Sequence, residues 1–245
     1  MISLNTVVDL LYPPECAGCR VLTDAPHGLC PECWSKTAFI TGPVCDRCGV
    51  PVPTALPGET VHCESCTARP PVWDQGRAAV LYEGTARDII LRFKHNDRLD
   101  LGAILSNWMA RAGRDVLRGT DIIAPVPLHW QRMIKRRSNQ AAELARRRVF
   151  RSQARIIPDL LTRSRATESL RGKTRAQRHE ILSGAIHVTR RHRDALSGKT
   201  VLLMDDVMTT GATLSACAEV CRAAGATQVR VLVIARVARE GFDPI

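Results

Sequence analysis

The chain has 245 residues, of which 45% are hydrophobic, so it can form a globular core and is not expected to be disordered. No apolar run approaches the ~20 residues of a membrane helix, and Met1–Tyr12 lacks the basic start of a secretory signal, so we expect a cytoplasmic protein. The formal net charge of +11 favours partners that carry phosphate, although a solvated arginine-rich surface would give the same charge.

Ten cysteines in such a chain indicate metal binding rather than disulfides. Eight of them form four C-x-x-C pairs near the N-terminus: Cys16 and Cys19, Cys30 and Cys33, Cys45 and Cys48, and Cys63 and Cys66. A two-residue spacer lets a tight turn direct both thiolates at one ion, so four pairs predict about two structural zinc ions. The pairs would combine either in sequential or in interleaved order. Cys217 and Cys221 lie four apart on a predicted helix and are expected to be core residues.

The composition changes after Arg69-Pro70-Pro71, which predicts a stiff junction between a cysteine-rich module at 1–71 and a second domain at 72–240. Beyond the junction, strands are predicted at 78–82, 121–127, 200–204 and 229–237. Helices are predicted at 85–95, 101–117, 139–150 and 212–224, the last closed by Gly225. This alternation predicts an α/β domain with a doubly wound parallel sheet. Lys94-His95, at the end of the first of these helices, could contact a ligand, but such a pair alone is more often surface charge.

The segment Val201–Leu214 carries the strongest functional signal. An apolar strand ends in Asp205 and Asp206, and a helix begins within the run that follows, Thr209, Thr210, Gly211, Ala212 and Thr213. A helix start presents amides and a positive dipole end to an anion, glycine permits close approach, and threonines add hydroxyl donors. The acids would repel phosphate but suit sugar hydroxyls or a hydrated Mg²⁺. The segment therefore predicts a site for ribose 5-phosphate, the alternative being an ordinary helix start after an acidic turn.

This segment resembles the phosphoribosyl-pyrophosphate signature of type I phosphoribosyltransferases. With the cysteine pairs, with Pro125-Val126-Pro127-Leu128 and with Arg136-Arg137-Ser138-Asn139-Gln140, nearly the whole chain resembles the ComF family. That family joins a zinc-ribbon segment to a phosphoribosyltransferase-like domain and is associated with natural transformation, the uptake of external DNA as single strands. The resemblance implies a type I phosphoribosyltransferase-like parallel sheet flanked by helices, behind a double zinc ribbon.

The resemblance also implies roles for individual residues. Asp205 and Asp206 would meet the ribose hydroxyls, as the candidate catalytic pair, and Thr209–Thr213 would hold the 5-phosphate. The turn after Pro127 would face the pyrophosphate, and phosphoribosyl pyrophosphate would bind with Mg²⁺. The arginines beside that pyrophosphate would be Arg132, Arg136 and Arg137.

The chain departs from the common family pattern in two places. Family members often read Arg-Gly-Phe-Asn-Gln at 136–140, and they often carry Gln at the position of Leu170 and Asn at that of Ile181. The stretch around Leu170 matches a mobile loop that closes over pyrophosphate in active transferases, so these changes bear on turnover more than on binding.

Two functions remain open at this point. The first is an enzyme that transfers a phosphoribosyl group to an unidentified acceptor. The second is a binding module that holds the phosphosugar while engaging single-stranded DNA or a protein of the DNA-uptake system. The arginine-rich stretches Arg132–Arg151 and Arg163–Arg193 predict weak, salt-sensitive DNA binding, with Arg146-Arg147-Arg148 as a test site. Only 4% of residues are aromatic and the tryptophans are dispersed along the sequence, so stacking is expected to add little.

Overall fold

A computed structural model describes residues 13–24, 26, 28–56, 58–95, 98–128, 139–151, 153–164 and 184–237. The strands in these ranges are β1 (Gln75–Leu81), β2 (Ile122–Pro125), β3 (Arg155–Ile156), β4 (Leu161–Arg163), β5 (Ile186–Val188), β6 (Thr200–Met208) and β7 (Gln228–Arg236). The α-helices are α1 (Pro31–Ser35), α2 (Glu64–Ala68), α3 (Gly84–His95), α4 (Gly102–Ala112), α5 (Arg114–Leu117), α6 (Gln140–Ala145), α7 (Arg148–Arg151) and α8 (Ala212–Ala223). Among them is no helix that is both long and apolar enough to cross a membrane.

Five strands form a parallel sheet in the order β1-β7-β6-β2-β3, and β4 and β5 form a separate antiparallel pair. The central strand β6 is buried on both sides. Leu203 packs in one cluster with Leu214 of α8, whereas Leu202 packs in another with Ile90 of α3 and Leu105 of α4. Helices therefore cover both faces, as a buried parallel sheet requires, and the predicted doubly wound α/β class is confirmed.

The winding of the sheet reverses between β2 and β6. From β2 the chain passes through α6 and α7 to β3 at one edge, whereas from β6 it passes through α8 to β7 on the other side. Leu144 of α6 and Leu214 of α8 belong to core clusters on opposite faces. Open α/β sheets bind ligands at the carboxyl ends of the strands that flank such a reversal. Here those ends are Pro125 and Met208.

Three predicted elements differ from the structure. The predicted helix 139–150 is divided into α6 and α7, because α6 ends at Ala145 and α7 begins at Arg148. The predicted helix 101–117 is interrupted at Gly113, where a Cβ atom would lie 2.7 and 2.8 Å from the methyl carbons of Leu232, so only glycine lets the chain pass this close to β7. Strand β6 continues to Met208 instead of ending at Met204, because Val207 and Met208 still pair with β7. Both acids thus lie within a strand rather than after it.

The cysteine-rich module packs along the outer edge of β1. The Ile40 amide donates to the Ala79 carbonyl, and the Leu81 amide donates to the Ala38 carbonyl, both at 2.9 Å. Further along the same strand, the Gly76 amide donates to the Asp46 carbonyl at 2.9 Å. The module therefore supplies hydrogen-bond partners to a strand that would otherwise leave its outer edge open.

Candidate metal centres and anion site

The eight N-terminal cysteines form two groups of four in sequential order. Within each group all the Sγ atoms lie within 4.8 Å of one another. The Sγ atoms of Cys19 and Cys30 are 3.6 Å apart, as are those of Cys48 and Cys63. Four thiolates at ~2.3 Å from one tetrahedral ion have separations of this size, whereas a disulfide needs ~2.05 Å. The groups are compatible with two structural zinc ions, and the structure favours sequential over interleaved grouping.

In the first group the backbone favours the thiolate form of Cys16, whereas burial and hydrogen bonds with neighbouring cysteines raise the pKa of Cys33 to about 12. Burial acts to raise the pKa of Cys16, but hydrogen bonds from backbone amides outweigh it and lower that pKa to about 6. The donors include the amides of Cys30, at 3.2 Å, and Gly18, at 3.3 Å. In the second group, hydrogen bonds from Cys48 and Cys66 hold the pKa of Cys45 far below that of a free thiol.

Cys217 and Cys221 are buried on α8, as predicted for core residues. Burial raises the pKa of Cys221 to about 12 and raises that of Cys217 well above its ordinary value. Both side chains are therefore neutral thiols at physiological pH, and neither belongs to a metal-binding group.

The two acids of β6 meet different helices. The Nζ atom of Lys94, on α3, lies 2.9 Å from Oδ1 of Asp206, and these side chains are only 15% and 17% exposed. The charge of Asp205 acts toward α8, where it adds to burial and Cys221 in raising the pKa of Cys217. Lys94 also lies 6.0 Å from the centre of the Tyr82 ring.

Interpreting Lys94 as surface charge was wrong. It follows Ile90 by four residues, so helical periodicity already places it on the buried face.

The predicted phosphate loop joins β6 to α8 through Gly211. Gly211 is the N-cap of α8, and the Ser215 amide donates to its carbonyl at 2.8 Å. Glycine offers no capping side chain, and the first turn of α8 contains no acidic residue. The N-cap residue therefore adds no side-chain cap to the positive end of the helix, which lies at the carboxyl edge of the sheet. Beside it, Thr209 is exposed and Thr213 is partly exposed.

Two features of the structure require glycine at 211. Its φ of +77° is in the left-handed region, and a Cβ atom would lie 2.6 Å from Cη2 of the Trp73 ring. The sequence suggested glycine only for its close approach to an anion, whereas packing against Trp73 is a separate reason.

On the other side of the reversal, Asn139 fixes the start of α6. Its Oδ1 accepts hydrogen bonds from the amides of Ala141 and Ala142, at 3.1 and 3.3 Å, and its Nδ2 donates to the Val126 carbonyl at 3.2 Å. The helix is thereby tied to the carboxyl end of β2. The intervening turn, with Arg132, Arg136 and Arg137, lies outside the described residues, as do Leu170 and Ile181.

Trp34 and Phe39, which are five residues apart, come together with the distant Trp108 of α4. The Trp34 and Phe39 ring centres are 4.4 Å apart, and those of Phe39 and Trp108 are 5.1 Å apart. Trp34 remains 51% exposed. A cavity of about 410 Å³ on the same helix is lined by side chains that include Arg111 and Arg114. Two of the tryptophans, Trp34 and Trp108, are therefore close in space although they are far apart in the sequence.

The arginine triplet chosen from the sequence is not a uniform surface. Arg146 pairs with Glu143 at 3.5 Å, and Arg147 donates to the Leu99 carbonyl. Arg148 is exposed at the start of α7.

Comparison with known proteins finds two family models that match this chain. Residues 7–67 match a family model described as a double zinc ribbon domain, and residues 126–244 match one described as a phosphoribosyl transferase domain. Competence protein F of Haemophilus influenzae is 28% identical over 228 residues, which cover 91% of this chain and 96% of that protein. DNA utilization protein YhgH of Escherichia coli O6:H1 is 28% identical over 235 residues, which cover 93% and 99%.

Among solved structures, a hypoxanthine phosphoribosyltransferase from Staphylococcus aureus is 14% identical with a TM-score of 0.36, covering 59% of this chain and 70% of that one. The fold assignment rests on the strand order and the two domain matches. The two matched ranges occur in the order of the cysteine groups and the parallel sheet, and the similarity to both relatives extends across them. The chain belongs to the ComF family, in which a double zinc ribbon precedes a phosphoribosyltransferase domain.

Proposed function

We propose that this protein binds phosphoribosyl pyrophosphate with Mg²⁺ between the carboxyl ends of β2 and β6, and transfers the phosphoribosyl group to an acceptor. The observation that carries this proposal is the start of α8 at Gly211, five residues after Asp206 of β6, where the winding of the sheet reverses. The phosphoribosyl transferase match of residues 126–244 supports it.

In this proposal each part of the loop has one task. The first-turn amides of α8, with the hydroxyls of Thr209 and Thr213, hold the 5-phosphate. Asp205 and Asp206 accept hydrogen bonds from the ribose hydroxyls. Mg²⁺ would neutralise the pyrophosphate charge. During transfer the bond from C1 of the ribose to pyrophosphate breaks, pyrophosphate leaves with the electron pair, and the acceptor forms the new bond to C1. Catalysis then rests on positioning and electrostatic stabilisation, without a protein nucleophile.

Calorimetric titration with phosphoribosyl pyrophosphate and Mg²⁺ tests the binding site. We expect Asp206→Asn to weaken binding by about tenfold or more, because a hydrogen bond to a charged group contributes ~1.5–3 kcal/mol. Asp121→Asn is the matched control, since Asp121 precedes β2 and thus lies at the opposite edge of the sheet, paired with Lys199. Wild-type affinity in both Asp205→Asn and Asp206→Asn would place the site elsewhere. Pyrophosphate release on addition of purine or pyrimidine bases then separates a transferase from a binding module.

A second candidate function is the binding of single-stranded DNA, favoured by the aromatic stack beside Arg111 and Arg114. Exposed aromatic faces stack on bases, and neighbouring arginines neutralise phosphates. Trp108 and Arg111 are three residues apart on α4, so they lie on adjacent parts of one helix face. The printed names of the two relatives refer to competence and DNA utilization.

Fluorescence anisotropy with a labelled oligothymidine, measured over a range of salt concentrations, tests this candidate. Trp34→Leu should weaken binding without changing its salt dependence. The Arg111→Ala, Arg114→Ala double variant should also flatten the salt slope by about 1.4, roughly 0.7 for each lost phosphate contact on a single strand. Leu56→Ala is the control, because Leu56 is an exposed apolar residue of the same module away from the stack. Arg148→Ala tests the contribution of α7 to DNA binding more directly than substitution of the whole triplet. Arg147 donates a hydrogen bond to the Leu99 carbonyl, so its loss would also affect the fold. Equal affinities in all variants would exclude this surface.

A further inference from the structure

Trp73 lies between the second cysteine group and the phosphate loop. Its side chain is 4% exposed, and its Nε1 donates to the Arg47 carbonyl at 2.5 Å. Arg47 is one of the two residues between Cys45 and Cys48, so this carbonyl belongs to the turn that directs two thiolates at the metal. The far edge of the same ring packs against the backbone of Gly211. One side chain thus contacts both the metal-binding turn and the helix cap.

The metal-binding turn is itself held against the sheet. Arg236, at the end of β7, donates to the Cys48 carbonyl at 3.1 Å. Arg77 of β1 donates to the Asp46 carbonyl at 3.0 Å and pairs with its carboxylate at 2.7 Å. These contacts fix the position of the turn, which carries two of the four thiolates of its group, relative to β1 and β7.

The residue after Trp73 fixes the other end of α8. Both carboxylate oxygens of Asp74 lie 2.6 Å from Nη2 of Arg222, in the last turn of the helix. Asp74 also accepts a hydrogen bond from the Val229 amide at 2.9 Å. Trp73 and Asp74 together contact the first and last turns of the helix that begins the phosphate loop.

We propose that Trp73 is a positioning residue through which zinc in the second cysteine group, formed by Cys45, Cys48, Cys63 and Cys66, fixes the phosphate loop. The inference rests on the proposed function for the meaning of the loop, but its geometry is independent of any ligand. Loss of zinc from this group frees the Arg47 carbonyl to move, the indole loses its hydrogen bond, and the ring no longer restrains the Gly211 backbone. Zinc therefore acts on the anion site without touching the anion.

Amide hydrogen exchange of the peptide covering residues 207–216 tests this inference in the absence of ligand. Two single variants are compared with wild type: Trp73→Leu, and Cys63→Ser, which removes a partly exposed ligand of the second group. We expect each to accelerate exchange of this peptide by about tenfold, the factor that corresponds to 1.4 kcal/mol. The double variant should exchange no faster than either single variant, because both changes interrupt one path. Trp34→Leu, in the same module but away from the loop, should leave exchange unchanged.

Three measurements keep the outcomes distinct. Trp73→Leu should retain two zinc ions per chain and unchanged exchange in residues 200–206 of β6, so that its effect is not general unfolding. Unchanged exchange in either single variant, or independent and multiplying effects in the double variant, would overturn the inference. Titration with phosphoribosyl pyrophosphate and Mg²⁺ is made in parallel, and weaker binding in both single variants is expected. A wild-type protein that does not bind this ligand defeats the proposed function, whereas the exchange data decide the role of Trp73.

Discussion

The Lys94 ammonium and the Asp206 carboxylate come from opposite halves of the chain. They meet in a largely buried position near the carboxyl end of the central strand β6. Without a ligand, each neutralises the other. A ribose that binds to Asp206 therefore meets a carboxylate that is already oriented by a cation. The pair is thus part of the candidate site and also a contribution to folding.

We expect Lys94→Met to lower the free energy of unfolding by about 1–2 kcal/mol, because it leaves a partly buried carboxylate without its partner. In that background Asp206→Asn should cost less than it does in the wild type. Urea denaturation of the four proteins of this double-mutant cycle measures the coupling. Additive effects of the two substitutions would show that the ion pair contributes nothing to stability.

The ten cysteines divide into eight that face a metal and two that face the core, and their reactivity should follow this division. We expect a chelator to make the eight N-terminal cysteines reactive to iodoacetamide at neutral pH. Cys217 and Cys221 should react only after unfolding, because burial excludes the reagent. Burial also raises the pKa of both groups, to about 12 for Cys221, so both stay thiols at neutral pH. Mass spectrometry of the labelled peptides checks this. Labelling of Cys221 in the chelated but folded protein would contradict it.

At the scale of elements, the sequence predicts those helices, strands and turns that are determined by residues close together in the chain. The C-x-x-C spacing, the run of small and hydroxyl residues at 209–213 and the apolar strands are all local patterns, and each corresponds to the expected element. Contacts between distant segments could not be predicted in this way. The approach of Trp73 to Gly211 and the break at Gly113 depend on the packing of α8 and β7, which no local pattern contains.

Gly113 provides a test in which local and tertiary effects have opposite signs. Alanine is a better helix former than glycine by roughly 0.5–1 kcal/mol, so local propensity predicts that Gly113→Ala is stabilising. Its Cβ would collide with fully buried Leu232, and we expect overpacking to destabilise the protein by about 1–3 kcal/mol. Chemical denaturation measures the sign. Leu232→Val should relieve part of the cost in the double variant, and a stabilised Gly113→Ala protein would show that the helix end can move.

For the whole molecule, the cysteine-rich module is a cover for the sheet as well as a metal site. Its segments at 38–40 and at Asp46 pair with the outer side of β1. Paired edges protect parallel sheets from joining other chains, and structural zinc ions in the two cysteine groups would hold this cover in place.

Chelation of zinc should therefore affect the molecule beyond the module. Each structural zinc contributes on the order of 10 kcal/mol to folding, so we expect the midpoint of thermal unfolding to fall by more than about 10 °C. Static light scattering should detect association through the uncovered strand, and added zinc should reverse it before aggregates grow. A chelated protein that stays monomeric with an unchanged midpoint would show that the cover holds without metal.

On the ribosome, β1 leaves the exit tunnel long before β7, the strand that completes its pairing in the sheet. The segment at 38–40 has already emerged, so a nascent chain that captures zinc can satisfy one side of β1 at once. The other side stays open until Gln228–Arg236 are made, because parallel pairing between distant segments must wait for the last strand. During that interval the supply of zinc to the cell determines whether the nascent strand has one open side or two.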